Sequence, residues 1–386
     1  MTPFVLSREH EELRVALRRF AEEGIAPNAA EADATAEYPW KSFAAYRDSG
    51  FIRLPYPEEY GGDGGDLVAY AMLVEEVARV CASSSLFVMI PRLAIEAILM
   101  FGSDEMKARI VPRLATGEWQ GSYCLSESHA GSDVASMRTR AVRDGDDYVL
   151  NGSKAWITNA GISDFYTVFA KTDPDAGSRG ISAFVVEADR PGFSVAKLES
   201  KMGMRGSPTG EIRFDDVRIP AENLIGDEHR GFQYAMAALD GSRPLVGAQA
   251  VGIAQGALDA ATRYVTEREQ FGQRVSEFQG VQFMLADMAT RVEAARLLVY
   301  SACARLDAGL PGTSKASAMA KLFAADTAMA VTTDAVQLFG GAGYTTDFPV
   351  ERMMRDAKVT QIYEGTNQIQ RMVIGRRLLD EVGPPV

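Results

Sequence analysis

The spacing of apolar residues changes twice along this chain. From Ser7 to about Gly117 it is helical: Leu13, Leu17 and Phe20 fall at i, i+4 and i+7 behind a candidate N-cap, Ser7, with Glu11 and Glu12 in the first turns. Leu67–Val80 and Ala94–Met100 repeat that period, and Pro55, Pro57 and the glycine-rich run Gly61–Gly65 punctuate it. Between about Gln120 and Gly226 the pattern shortens. Tyr148, Val149 and Leu150 are bracketed by Asp-Gly (144–145) and Asn-Gly (151–152), strong hairpin signals, and β-rich runs follow at 165–170, 181–186, 193–198 and 211–219. Together these runs predict a small antiparallel sandwich or barrel. From Gly231 onward helices return and are long. Pro244 is expected near the start of one reaching about Arg268, and others cover about 281–308, 314–339 and 369–379, a four-helix bundle.

Composition narrows the function classes. At 386 residues the chain is long enough for two or three domains, and 47% hydrophobic with 24% charged residues excludes wholesale disorder. Fifty-two acids against 40 Lys and Arg give −12, which argues against a nucleic-acid partner, since phosphate binding needs a basic stripe. Three distant cysteines (Cys81, Cys124, Cys303) and three histidines (His10, His129, His229) fit neither a disulfide framework nor a metal site, so no metal is expected. The most apolar stretch, Ser85–Phe101, is interrupted by Pro91, Arg92 and Glu96, short of the roughly 18 residues of a membrane span. The first residues show no export pattern, and only a short Gly/Pro end (383–385) is of low complexity. The expectation is a cytoplasmic protein without a membrane partner. Walker, nucleophile-elbow, zinc-protease and dinucleotide glycine motifs are all missing, and Gly61–Gly65 lacks the preceding strand that a phosphate loop needs.

Five local sequences occur in order: YCLSESHAGSD (123–133), NGSKAWITNA (151–160), EREQFGQ (267–273), QLFGGAGY (337–344) and MRDAKVTQIYEGTNQIQ (354–370). Together they resemble the acyl-CoA dehydrogenase family over nearly the whole chain. The resemblance implies a multidomain α+β fold with an N-terminal helical domain (1–119), a middle antiparallel β-barrel (120–228) and a C-terminal four-helix bundle (229–386). It implies FAD as cofactor, an acyl-CoA substrate dehydrogenated at C2–C3, and an electron-transfer flavoprotein as acceptor. A homo-oligomer, a tetramer built as a dimer of dimers, follows because the family's site is shared between chains.

The same resemblance assigns roles residue by residue. Glu364, in IYEGT, matches the base that removes the α-proton, with Tyr363 and Gly365 beside it at the substrate. Family acidification of that proton uses a flavin ribityl hydroxyl and the Glu364 backbone N–H on the thioester oxygen. Relatives with the base on the first bundle helix are disfavoured, because Ser242 stands there and cannot act as the base; Asp240 and Arg243 match positions near the thioester. Tyr123, Leu125, Ser126 and Ser132 match flavin-holding residues, with Ser132 also near pantetheine, while Trp156 and Thr158 match an indole and a hydroxyl at the flavin ring. Ser128 and His129 depart from the family's usual Pro-Gly and put the shape of that loop in doubt. Arg268, Phe271 and Gln279 match residues reaching the FAD of a neighbouring subunit. Gln337, Gly340 and Gly341 match the backbone that receives its adenosine half, and Thr366 and Gln368 match further FAD contacts. Phe87, Met89 and Ile90 point to a pocket floor for a shortened or branched acyl group.

Rival readings are a fold-mate such as an acyl-CoA oxidase or nitroalkane oxidase, a dehydrogenase of a carrier-protein thioester, and a non-enzymatic scaffold. The chain length disfavours the long oxidases, and Glu364 disfavours nitroalkane enzymes, whose base is aspartate. A scaffold would have no need of the flavin-matching blocks.

Overall fold

The structure, a computed structural model, describes residues 5–382; the Gly/Pro end at 383–385 lies outside them. Ser7 caps α1 (Arg8–Phe20) by accepting the His10 N–H, and Leu17 is fully buried on the face its spacing marks. α2 (Ala29–Thr35) and α3 (Trp40–Asp48) follow, and Asp66 caps α4 (Leu67–Val80) through the Ala69 N–H at 2.7 Å. α5 (Ala82–Ala94), α6 (Glu96–Phe101) and α7 (Asp104–Ala115) complete the first helical region. Pro91 sits inside α5 without ending it. Residues 82–101 are long and apolar enough to cross a membrane by composition, but most of this stretch is packed inside the protein.

The middle region holds β1 (Gly121–Cys124), β2 (Arg140–Asp144), β3 (Asp147–Thr158), β4 (Phe165–Lys171), β5 (Ile181–Glu187), β6 (Phe193–Leu198) and β7 (Thr209–Pro220) in one seven-stranded sheet. The sheet folds over on itself: Tyr148 of β3 meets Phe184 of β5, and Tyr166 of β4 meets Phe193 of β6, with ring centroids 4.9 and 4.7 Å apart. Two features correct the antiparallel expectation. β1, too short to show a period, pairs parallel with β4, Gly121 opposite Phe165, and β2 meets β4 parallel at Arg140 and Lys171. A parallel pair is possible because the long connection through β2 and β3 returns the chain to the same end of the sheet.

α8 (Gly231–Glu267) opens the last region. A two-residue hairpin of β8 (Glu269–Gln270) and β9 (Gln273–Arg274) follows, then α9 (Gln279–Asp307), α10 (Thr313–Phe339), α11 (Val350–Thr360) and α12 (Asn367–Val382). Here the sequence reading needs two corrections. Pro244 lies in the interior of α8, where it leaves the Asp240 carbonyl without its helical donor. α11 makes five helices among the described residues instead of four; only one narrow apolar stripe (Val350, Met353, Ala357) marks it.

The N- and C-terminal helices share one hydrophobic core, from Leu17 and Phe87 to Ala248, Val299 and Ala328. Each fully buried aliphatic side chain there contributes roughly 1.5–3 kcal/mol. α4 and α8 approach so closely that a Cβ at Gly252 would lie 2.2 Å from the Glu75 carbonyl oxygen, and one at Gly256 2.1 Å from that of Arg79. Glu75, 3% exposed, accepts from Arg296 at 2.9 Å and Tyr300 at 2.7 Å, tying α4 to α9. That frame fixes α8 and α10 around the turn between α11 and α12.

Candidate active site

The turn between α11 and α12 carries Glu364 and Gly365 in the left-handed region, φ +51° and +93°. A non-glycine residue held there is strained and persists only where its surroundings over-determine it. They do. The Gly365 carbonyl accepts from Lys321 Nζ at 2.8 Å and from Gln370 Nε2 at 3.0 Å. Tyr363 donates to Gln249, whose amide donates to Ser85 at 2.7 Å. The Glu364 carboxylate turns toward α8, where Ser242 Oγ donates to it at 2.5 Å. Burial pushes this carboxyl above the ordinary range, opposed by the Ser242 hydrogen bond and by the charges of Lys321 and Arg243. The Glu364 backbone N–H has no protein acceptor among the described residues.

Glu364 faces a cavity of about 260 Å³. Its walls come from α4 (Tyr70), α5 and α6 (Met89, Arg92, Leu93, Glu96), α8 (Gly241, Ser242, Leu245) and the Pro55–Gly65 loop. Arg92 is ion-paired to Glu96 and donates to the Pro55 carbonyl at 2.9 Å. Of the expected floor residues, Met89 lines the cavity; Phe87 instead packs among Tyr38, Phe43 and Tyr46, and Ile90 lies in the shared core. Arg243 is buried and paired with Asp240, yet its Nε–H has no acceptor, an orphan donor beside the candidate base. Tyr123, on β1, donates to the Ala235 carbonyl at 3.3 Å, and burial, followed by the Glu364 charge, holds its hydroxyl well above the ordinary range.

A second group of side chains gathers where β1 and β3 leave the sheet. Ser126 accepts the Ala155 N–H through its carbonyl at 3.0 Å, bringing the Leu125–Ser132 segment against β3. Next along β3, Trp156 has φ +59° and is 55% exposed, so its indole is held outward, with Thr158 half-buried two residues on. Ser132 is exposed, as are Gly340 and Gly341, where a Cβ would meet nothing within 4 Å. His129 is exposed 3.6 Å from Glu127. Arg268, Phe271 and Gln279 are not brought to this surface: the β8–β9 hairpin packs on α8 and leaves Phe271 94% exposed at φ +55°. Arg268 is exposed with no acidic partner among the described residues. Gln337 and Gln368 are exposed, and Thr366 caps α12 through the Ile369 N–H. The outward Trp156 indole and the free hydroxyls of this surface suit a flavin ring, and the unpaired Arg268 guanidinium, which lies elsewhere on the chain, suits a pyrophosphate. No cluster of His, Cys, Asp and Glu that could hold a metal occurs among the described residues.

Several residues of this geometry escaped sequence reasoning. In the sequence Ser242 reads only as a residue unable to act as a base; in the structure it donates a hydrogen bond to Glu364. Arg92 and Glu96, an i,i+4 pair of opposite charges inside an apolar run, carried a readable signal of a polar wall. Lys321, a lone lysine in an alanine-rich helix, carried a weaker one.

Comparison with known proteins settles the class. The acyl-CoA dehydrogenase N-terminal, middle and C-terminal domain models match residues 7–118, 122–217 and 229–379. The chain belongs to the acyl-CoA dehydrogenase family and is an acyl-CoA dehydrogenase, an oxidoreductase of the β-oxidation type; FAD is the family's cofactor. It is 58% identical to the probable acyl-CoA dehydrogenase FadE25 of Mycobacterium tuberculosis over 376 residues, 97% of each chain. Butyryl-CoA dehydrogenase of Megasphaera elsdenii shares the fold at a TM-score of 0.95 and 42% identity, over 98% of this chain and 100% of that one. A chain in the structure of the electron transferring flavoprotein of Acidaminococcus fermentans matches with a TM-score of 0.95 and 47% identity, over 98% and 100%.

Proposed function

We propose that this enzyme converts a short acyl-CoA to its trans-2-enoyl-CoA, with Glu364 taking the α-proton. The carrying observation is the Glu364 turn: a partly desolvated carboxylate facing a cavity, with its own backbone N–H free to donate. A base with a raised pKa sits nearer the operating pH, where general-base catalysis is most effective. The free N–H has the position to donate to a thioester oxygen, favouring the enolate-like charge that develops as the proton leaves. FAD, when bound, would supply the hydride acceptor for the β-carbon. Tyr123, Leu125, Ser126, Ser132, Trp156, Thr158, Thr366 and Gln368 would hold it, and Asp240, Arg243, Ser132, Tyr363 and Gly365 would hold the substrate.

A short acyl group is favoured by volume and polarity. A dry cavity of roughly 150 Å³ holds benzene; this one, at about 260 Å³, must also admit the thioester, and the Arg92–Glu96 pair forms part of its wall. The 94% exposed Phe271, with Arg268 and Gln279, reaches the cofactor of a second copy of the chain, giving a dimer of dimers. Electrons leave to an electron-transfer flavoprotein. Our division at 119/120 and 228/229 falls between α7 and β1 and just before α8. A cytoplasmic location fits three buried cysteines that remain free thiols.

Anaerobic titration of the purified yellow protein with butyryl-, isobutyryl-, octanoyl- and palmitoyl-CoA tests this reading. Bleaching by the short thioesters, lost in Glu364→Gln, is expected. A flavin that no acyl-CoA bleaches would overturn it and point to a carrier-protein thioester.

A further inference from the structure

We propose that Lys321 is a positioning residue for the base: it pins the left-handed Glu364–Gly365 turn and supplies positive charge that acts on the carboxylate. This rests on the reading of Glu364 as the base.

Lys321 lies on α10 at 0% exposure. Its ammonium donates to the Gly365 carbonyl at 2.8 Å and to Asn367 Oδ1 at 3.0 Å, and no carboxylate pairs with it directly. A buried ammonium held only by neutral acceptors is expensive, since desolvation is not offset by a contacting counter-ion. Purely structural stapling needs no charge, and Gln370 already donates to the same carbonyl. What the charge adds is its field. The groups acting on Lys321 are Glu364 in the turn, Arg243 on α8 and Asp326 on its own helix; Asp326 in turn accepts from Asn367 at 2.7 Å and Arg371 at 3.0 Å. Burial, followed by the opposing pulls of these charges, brings the Lys321 ammonium down to about 7, so it titrates in the range where a base must work. In its charged form it favours the ionised carboxylate of Glu364.

Removing the charge therefore raises the Glu364 pKa and loosens the turn, without touching flavin or acyl group. Lys321→Met keeps the length of the side chain, and Lys321→Arg keeps the charge. In the FAD-loaded enzyme, the acidic limb of kcat against pH should move to higher pH in Lys321→Met. At neutral pH kcat should fall about tenfold, a fraction of the roughly 10²–10⁴-fold a general base supplies. KM should change less than kcat, within about threefold, because Tyr363 and Gly365 supply only part of the substrate's contacts, and Lys321→Arg should recover much of the limb. A second readout needs no turnover: infrared difference spectra against pH, following the protonated-carboxyl band that Glu364→Gln abolishes. That band should titrate at higher pH in Lys321→Met. An unmoved band and limb, with lowered thermal stability alone, would reduce Lys321 to a staple and overturn the proposal. If the wild type is not bleached by any acyl-CoA, the function reading fails, and the infrared band still decides the coupling.

Discussion

Lys154→Met should unfold the middle region more easily by about 3–5 kcal/mol, although it deletes one charge from the sheet interior. Lys154 is fully buried and donates to Glu127 at 2.8 Å and to the Leu125 carbonyl at 3.1 Å. Glu127, 2% exposed, also accepts from the N–H groups of Arg138 (2.7 Å) and Thr139 (3.0 Å). Burial works against the Glu127 charge, yet Lys154 and these N–H groups hold its carboxyl at about 2, while burial pulls the Lys154 ammonium below its ordinary value. The two partners point in opposite directions, as expected of a pair whose net contribution is near break-even. Removing one partner is different, because the buried carboxylate keeps only its backbone donors. The displacement of Glu127 from 4.5 to about 2 corresponds to roughly 3 kcal/mol, the low end of that range. Its folded value lies below the unfolded one, so this stability is complete above about pH 4.5 and lost as pH falls toward 2. Urea unfolding at pH 7 by tryptophan fluorescence reads the effect, since Trp119 packs on Phe165 of the sheet and Trp156 lies in β3. Lys154→Met/Glu127→Leu should regain most of the loss, and FAD affinity should drop in the single variant, whose Leu125–Ser126 segment loses its anchor. A single variant within about 1 kcal/mol of the parent would refute the buried-charge reasoning.

Three further outcomes follow from the same geometry. Gly365→Ala places a Cβ 2.6 Å from Gln370 Nε2 at φ +93°, so it should cost about 1–3 kcal/mol and most of the activity; full bleaching rates would show the turn is not required. Asp356 is fully buried and accepts the Met204 N–H at 2.5 Å, and burial pushes its carboxyl up to about 6. An acid raised above its unfolded value of 3.8 stabilises fully below about pH 4 and loses that contribution as pH rises through 6. Asp356→Asn, which still accepts that N–H, should therefore be more stable near pH 7, by up to about 3 kcal/mol, with a flatter melting profile between pH 4 and 7. A parallel loss of stability at every pH would contradict this. Replacing both Arg92 and Glu96 with leucine should raise kcat/KM for octanoyl- over butyryl-CoA about tenfold or more, given roughly 1–3 kcal/mol per methylene. An unmoved ratio would place the pair away from the acyl chain.

What the chain's pattern disclosed follows from how local each cause is. Leu67–Val80 and Phe193–Leu198 were found to the residue, because their period or β-rich run ends at residues that break it. The family resemblance marks a strand at Tyr123, but the pattern of β1 alone does not, since four residues show no period and their register is decided by Phe165–Val168 in a distant strand. Local preference puts Pro244 at a helix start; packing of α4 and α10 on α8 carries the helix past it, and the carbonyl it frees belongs to Asp240, one residue before Gly241 in the cavity wall. The site divides in the same way. Glu364 stands out in the sequence because its neighbours form a contiguous motif, whereas Ser242, Lys321, Arg92 and Glu96 come from four other helices and become neighbours only in space. Each of these was nonetheless a polar group on an otherwise apolar helical face. In a buried helix such a group is costly unless it is partnered, so the question it poses is which group it meets. Here the answer is the Glu364 turn for Ser242 and Lys321, and the cavity wall opposite it for Arg92 and Glu96.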